Sequence, residues 1–153
     1  MTALQAGLRL ALIGCALSVQ AAPAFALSRS FKCAFDPGSD AIDSRCERVL
    51  SRYVEYWTQL RDGRLPAWPG PGLAPPYTIT RIEVGGHADG AEATRGLATV
   101  GELRARAVGE WLIGAGIPRE YVIVSGYGAR QLLVPTQPHE AEPQNRRVEI
   151  VSR

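Results

Sequence analysis

Two hydrophobic periods alternate along the chain from residue 31 onward, one of strands and one of helices. Phe31, Cys33 and Phe35 share one side of a period-two run, which predicts a short strand, and Asp36-Pro-Gly-Ser39 after it has turn composition. A helix is expected from Asp40 or Asp43, either of which supplies a capping carboxylate. Its stripe is Ile42, Cys46, Val49, Leu50, Tyr53, Val54, Trp57 and Leu60. Residues 61–76 (RDGRLPAWPGPGLAPP) have no period and are crowded with Pro and Gly, so they are expected to form an exposed connection, with Trp68 folded back over the helix. Tyr77–Gly85 alternates through Thr78, Thr80, Ile82 and Val84 and predicts a second strand leading into His87 and Asp89. A second helix spans Val100–Ala115, with apolar Val100, Leu103, Ala107, Val108, Trp111, Leu112 and Ala115, and is closed by Gly116 and Pro118. Tyr121–Ser125 predicts a third strand, residues 126–144 a loop, and Arg147–Val151 a last strand. The order β-α-β-α-β-loop-β predicts an α/β sandwich, a small mixed sheet with helices packed on it.

One residue breaks the pattern. Arg104 lies near the centre of the second helix's apolar arc, whereas Arg106 and Glu110 lie outside it. A guanidinium facing a core must snorkel out, pair with a carboxylate or receive an anionic ligand. Asp89, at the end of the preceding strand, is the nearest obvious acid. The two charges side by side suit a zwitterion, ammonium on Asp89 and carboxylate on Arg104; the alternative is that they pair with each other.

The chain's 153 residues suffice for one modest domain. Residues 1–26 have the form of a secretory signal: Arg9, an apolar stretch from Leu10 to Ala22, then Ala24-Phe-Ala26. That leaves a mature segment, 27–153, exported to the periplasm. Leu12-Ile-Gly-Cys15 also resembles a lipoprotein box, which would tether the chain to a membrane through lipid on Cys15. Cys33 and Cys46 remain as an even pair on core-facing positions, which favours a strand-to-helix disulfide over two free thiols. A formal net charge of +2 gives no electrostatic basis for binding nucleic acid or an anionic membrane surface.

Five ordered motifs carry a family resemblance. Gly86-His-Ala-Asp89 matches a G-H-T-D element, and Val100 to Val108 matches L-S-x-x-R-A-x-x-V. Leu112 to Pro118 matches L-x-x-x-G-I-P, Gly126-Tyr-Gly128 matches G-Y-G, and Asn145 to Ile150 matches N-R-R-V-E-I. Together they resemble the C-terminal, peptidoglycan-binding domain of outer membrane protein A, shared with peptidoglycan-associated lipoprotein and flagellar stator proteins. The resemblance covers residues 31–153 and is strongest from Ile82 onward. It implies non-covalent binding of peptidoglycan through the diaminopimelate of its stem peptide. Asp89 would accept the ammonium and Arg104, fifteen positions on as in the family, would fork onto the carboxylate. Asn145 and Arg146 are expected as secondary contacts. No cofactor and no bond-breaking step is implied, so the chain is expected not to be an enzyme.

The chain departs from the family around this site. Ala88 stands in place of Thr, Glu92 in place of the Gly of D-x-x-G, Leu97 in place of Asn, Gly101 in place of Ser and Glu142 in place of Arg. The Gly101 change is expected to weaken a helix cap. These departures motivate an alternative, a degenerate copy of the fold serving as a protein-interaction subunit with an envelope partner. His87 with Asp89 is a poor metal site, because His139 is the only other histidine, so a structural His87 beneath the loop is expected. Ser125 lacks the flanks of a nucleophile elbow.

Overall fold

A computed structural model describes residues 30–64 and 79–153. The export segment, Cys15, Trp68 and residues 65–76 of the Pro/Gly-rich connection lie outside the described residues. The elements are β1 (Ser30–Ala34), α1 (Ser44–Arg61), β2 (Ile82–His87), α2 (Gly90–Thr94), α3 (Val100–Gly114), β3 (Val122–Gly128) and β4 (Arg147–Ser152). Single 3-10 turns at Arg119–Tyr121 and Pro143–Asn145 precede the last two strands.

The sheet order is β1-β4-β2-β3. β2 and β3 are parallel, joined by the crossover through α3, and β4 lies between β1 and β2, antiparallel to both. Inward residues of the strands (Cys33, Ile82, Val84, Val148, Ile150) meet Leu50, Tyr53 and Trp57 of α1 and Ala105, Val108 and Leu112 of α3 in one core. Helix α1 starts where Asp43 accepts from Arg45 N and Cys46 N at 3.0 and 2.8 Å, so Asp43, rather than Asp40, is its cap. Cys33 and Cys46 are joined by a disulfide across β1 and α1, closing a separation of 13 residues. A closure of that length contributes about 3 kcal/mol by restricting the unfolded chain.

Three sequence expectations are corrected. Tyr77 and Thr78 lie outside the described residues, and of the rest β2 takes only Ile82 onward: Thr80 and Arg81 instead send their N–H groups to the single carbonyl of Arg153. β3 does not stop at Ser125, because pairing to β2 continues through Gly86–Gly126 and, past an irregularity, His87–Gly128. The buried face of α3 is also rotated from the expected arc. It comprises Val100, Gly101, Arg104, Ala105, Val108, Gly109 and Leu112, while Leu103 is 47% exposed. Gly101, Ala105 and Gly109 sit among the apolar residues of this contact, because α3 packs with its backbone close to the sheet.

Gly86 and Gly101 mark the closest approach. A Cβ on Gly86 would lie 1.8 Å from the carbonyl oxygen of Gly101, and one on Gly101 would lie 2.8 Å from that of Gly86. Gly101 is therefore a packing residue within the first turn and not a lost cap; the residue before the helix is Thr99, whose side chain makes no capping bond. This approach sets Arg104, one turn on, directly over the end of β2.

Gly86→Ala is expected to destabilise the fold by about 1–3 kcal/mol or more, since two backbones must part. Gly114→Ala, at the end of α3 with nothing within 4 Å of the added Cβ, should be neutral or gain at most about 1 kcal/mol. Urea unfolding of the two variants measures both; equal midpoints would rule out the close approach.

Candidate ligand site at the end of strand β2

Strand β2 delivers His87, Ala88 and Asp89 to the foot of α3, and α2 starts immediately afterwards. Asp89 caps α2: its Oδ1 accepts from Glu92 N at 2.8 Å, and Glu92 Oε2 accepts in return from Asp89 N at 3.1 Å. This reciprocal box places two carboxylates side by side. Each is neutralised by a different arginine. Arg146 Nη1 donates to Asp89 Oδ2 at 2.8 Å, and Glu142 N donates to the same oxygen at 3.2 Å. Arg104 forks onto Glu92, Nη2 to Oε1 at 2.7 Å and Nη1 to Oε2 at 3.0 Å.

The remaining donors of Arg104 are also engaged. Nε donates to Ser39 O at 2.7 Å, Nη1 to His87 O at 3.0 Å and Nη2 to Asp36 O at 2.9 Å. Five N–H groups meet five acceptors, so the guanidinium is saturated. It is wholly buried, with Asp89 1% and Glu92 2% exposed. The sequence places Arg104 and Asp89 together, and the structure does so too, but each charge is answered by a third residue instead of by the other. Glu92 Oε1 takes a further bond from Gly38 N at 2.8 Å, which ties the β1–α1 loop to the same cluster.

The two secondary residues take internal roles. Arg146 holds Asp89 and also donates from Nε to Phe35 O at 3.2 Å. Asn145 is fully buried: Oδ1 accepts from Leu133 N and Val134 N at 2.7 and 2.9 Å, and Nδ2 donates to Val134 O at 2.9 Å, clamping the β3–β4 connection. His87 is 2% exposed and lies stacked against Tyr127, ring centroids 5.2 Å apart, on the opposite face of the sheet from the helices. Its Nδ1 has no partner. Among the described residues, no group of three His, Cys, Asp or Glu side chains is arranged to hold a metal ion.

Glu92 is the participant that reading along the chain passes over. The signal was present, because Asp89-x-x-Glu92 has capping-box spacing. A five-residue helix, however, is too short to show a hydrophobic period.

The charges leave a pH signature. Burial raises the Asp89 carboxyl, but Arg146 and the N–H groups of Glu92 and Glu142 outweigh it, so the net shift is downward. Burial likewise opposes, and Arg104, Gly38 N and Asp89 N overcome, in holding Glu92 below its ordinary value. For His87, burial first and the Arg147 charge second push the imidazole down to about 4. All three groups bind protons more readily when unfolded, so their contributions are present at neutral pH and are lost on acidification. Stability should therefore fall in two stages, from pH 6.5 toward about 4 as His87 resists protonation, and further below about 4 as the two carboxylates protonate. Denaturant titrations against pH check this: His87→Gln should remove the first stage and Glu92→Gln should make the second shallower. A wild-type profile flat from neutrality to pH 4.5 would show that His87 is not sealed.

Comparison with known proteins agrees with this fold. Residues 73–146 match the OmpA family. An outer membrane protein of Gluconacetobacter diazotrophicus is 44% identical over 80 residues, covering 47% of this chain and 21% of that protein, so the chain spans about a fifth of its length. In fold, the chain is similar to the OmpA-like domain of FopA1 from Francisella tularensis (19% identity, TM-score 0.60, covering 80% of this chain and 70% of that one). It is also similar to the peptidoglycan-associated lipoprotein of Burkholderia pseudomallei (17% identity, TM-score 0.61, covering 80% and 90%). Sequence match and fold agree that the chain carries an OmpA-like domain.

Proposed function

We propose that this domain associates non-covalently with peptidoglycan in the cell envelope, with Asp89 and Arg104 receiving the ammonium and carboxylate of diaminopimelate. The observation that carries the reading is the pair of occupants now in place. Asp89 holds a cation and Arg104 holds a carboxylate in a bidentate fork, at one strand end and joined through the Asp89–Glu92 box. A diamino diacid presents the same two charges, so binding exchanges two internal ion pairs for two intermolecular ones. A domain of this family is a structural, anchoring module and not an enzyme. The outer-membrane and peptidoglycan-associated relatives support a periplasmic, outer-membrane-associated setting. Export through residues 1–26, or a lipid on Cys15, would deliver it there.

A second reading is supported by a different observation. All the donors of Arg104 are satisfied within the chain, which favours a self-contained domain that contacts an envelope protein and leaves peptidoglycan alone.

Sedimentation with purified sacculi separates the two. The first reading expects co-pelleting with diaminopimelate-type wall that free diaminopimelate competes away. Asp89→Asn and Arg104→Lys, which keep side-chain volume, should each weaken it by about tenfold or more, the loss of one charged contact of 1–2 kcal/mol. The absence of co-pelleting, or co-pelleting indifferent to diaminopimelate, would overturn the first reading and leave the second.

A further inference from the structure

Around the Glu92 carboxylate the chain has built a receptor. Gly38 N and Arg104 Nη2 reach Oε1 at 2.8 and 2.7 Å, while Arg104 Nη1 and Asp89 N reach Oε2 at 3.0 and 3.1 Å. Four N–H donors from three separate elements thus converge on one carboxylate, two to each oxygen, which saturates the arrangement that free carboxylates seek. The side chain that fills it comes from α2, a helix of only five residues.

Charge balance leads the same way. Asp89, Glu92, Arg104 and Arg146 sum to zero as ionised groups. Without Glu92 the cluster holds a net positive charge, buried, with four N–H donors facing one point. A buried cation in that state draws in an anion. The receptor is thinly roofed: Asp36, Pro37 and Gly38, which supply a carbonyl to Arg104 and an N–H to Glu92, are exposed on their outer side.

From this geometry we infer that Glu92 is a built-in competitor, holding in the resting state the place of a ligand carboxylate on Arg104, Gly38 and Asp89. The inference rests on the proposed ligand site and adds its regulation. Affinity for a carboxylate ligand is set by how readily Glu92 yields, and anything that draws Glu92 or α2 away opens the receptor. Arg104 is occupied, not lost.

The test compares full-length wild type with Glu92→Ala, and with Glu92→Gln in case the alanine variant folds poorly. Thermal unfolding and isothermal titration are run with diaminopimelate, and separately with acetate, which carries the carboxylate alone. Diaminopimelate should bind the variants at least tenfold more tightly than wild type. Acetate should raise the unfolding temperature of Glu92→Ala, restoring part of what the substitution removed, and leave wild type unchanged. A purely structural Glu92 would lower stability with no ligand-dependent recovery, and equal affinity in all three proteins would overturn the inference. Should the variants gain carboxylate binding while neither they nor wild type pellet with sacculi, the competitor role stands and the peptidoglycan reading fails.

Discussion

The structure turns on four buried charges. Asp89 at the end of β2, Glu92 on α2, Arg104 on α3 and Arg146 before β4 form two ion pairs joined by a capping box. Through their remaining bonds they also hold the β1–α1 loop at Asp36, Gly38 and Ser39 and the backbone of Phe35. Burying four ions costs several kcal/mol of desolvation each, and the mutual attraction recovers that only because nearly every donor and acceptor is matched. The cluster contributes modest net stability but strong specificity. An alternative packing of α2 or of the loop would strand a charge in the interior, which costs about 3–5 kcal/mol.

That arrangement depends on backbone proximity. Arg104 reaches the carbonyl of His87 only because α3 crosses β2 at Gly86 and Gly101 with no side chain between them. Gly109 makes room for a side chain of β3, where an added Cβ would lie 2.8 Å from Val124 Cγ2. A helix with leucines at those positions would stand off the sheet, and the guanidinium would lose its acceptors. The glycines of α3 lower its intrinsic helix preference, and tertiary packing over the sheet compensates. The site is thus bought with helix propensity.

How much was legible beforehand follows the same division. The order of strands and long helices, the two core cysteines and the burial of Arg104 all followed from periodicity, because each is a local pattern repeated over several turns or residues. The rotation of α3 was not legible: hydrophobic counting assigned Leu103 inward, while the true contact runs through Gly101, Ala105 and Gly109, which carry almost no hydropathy signal. The end of β3 was missed because Gly126-Tyr-Gly128 has loop composition, and only pairing with β2 holds it extended. Asp89 and Arg104 came forward from the strand end and the helix arc, and the family resemblance agreed, but it described Glu92 only as a departure. Its role required knowing which loop folds over which helix, since Gly38 lies 54 positions away.

Glu92 also decides what the departures from the family amount to. Taken singly, changes such as Ala88 for Thr and Leu97 for Asn remove side-chain hydrogen-bonding groups and suggest decay of the site. In three dimensions Glu92 adds the complementary charge that Arg104 would otherwise lack, and its reciprocal bond with Asp89 N makes the loop more regular than a Gly would. A decaying site accumulates unsatisfied groups, and here the guanidinium and both carboxylates are fully partnered. Among the described residues the unpartnered buried side-chain atoms belong to His87, Thr136 and Arg147, none of them in the four-charge cluster. The pattern is that of an intact charge balance. The balance is equally met by the chain's own carboxylate or by a ligand's, so the distinction between a closed domain and a binding domain comes down to the free energy of moving one side chain.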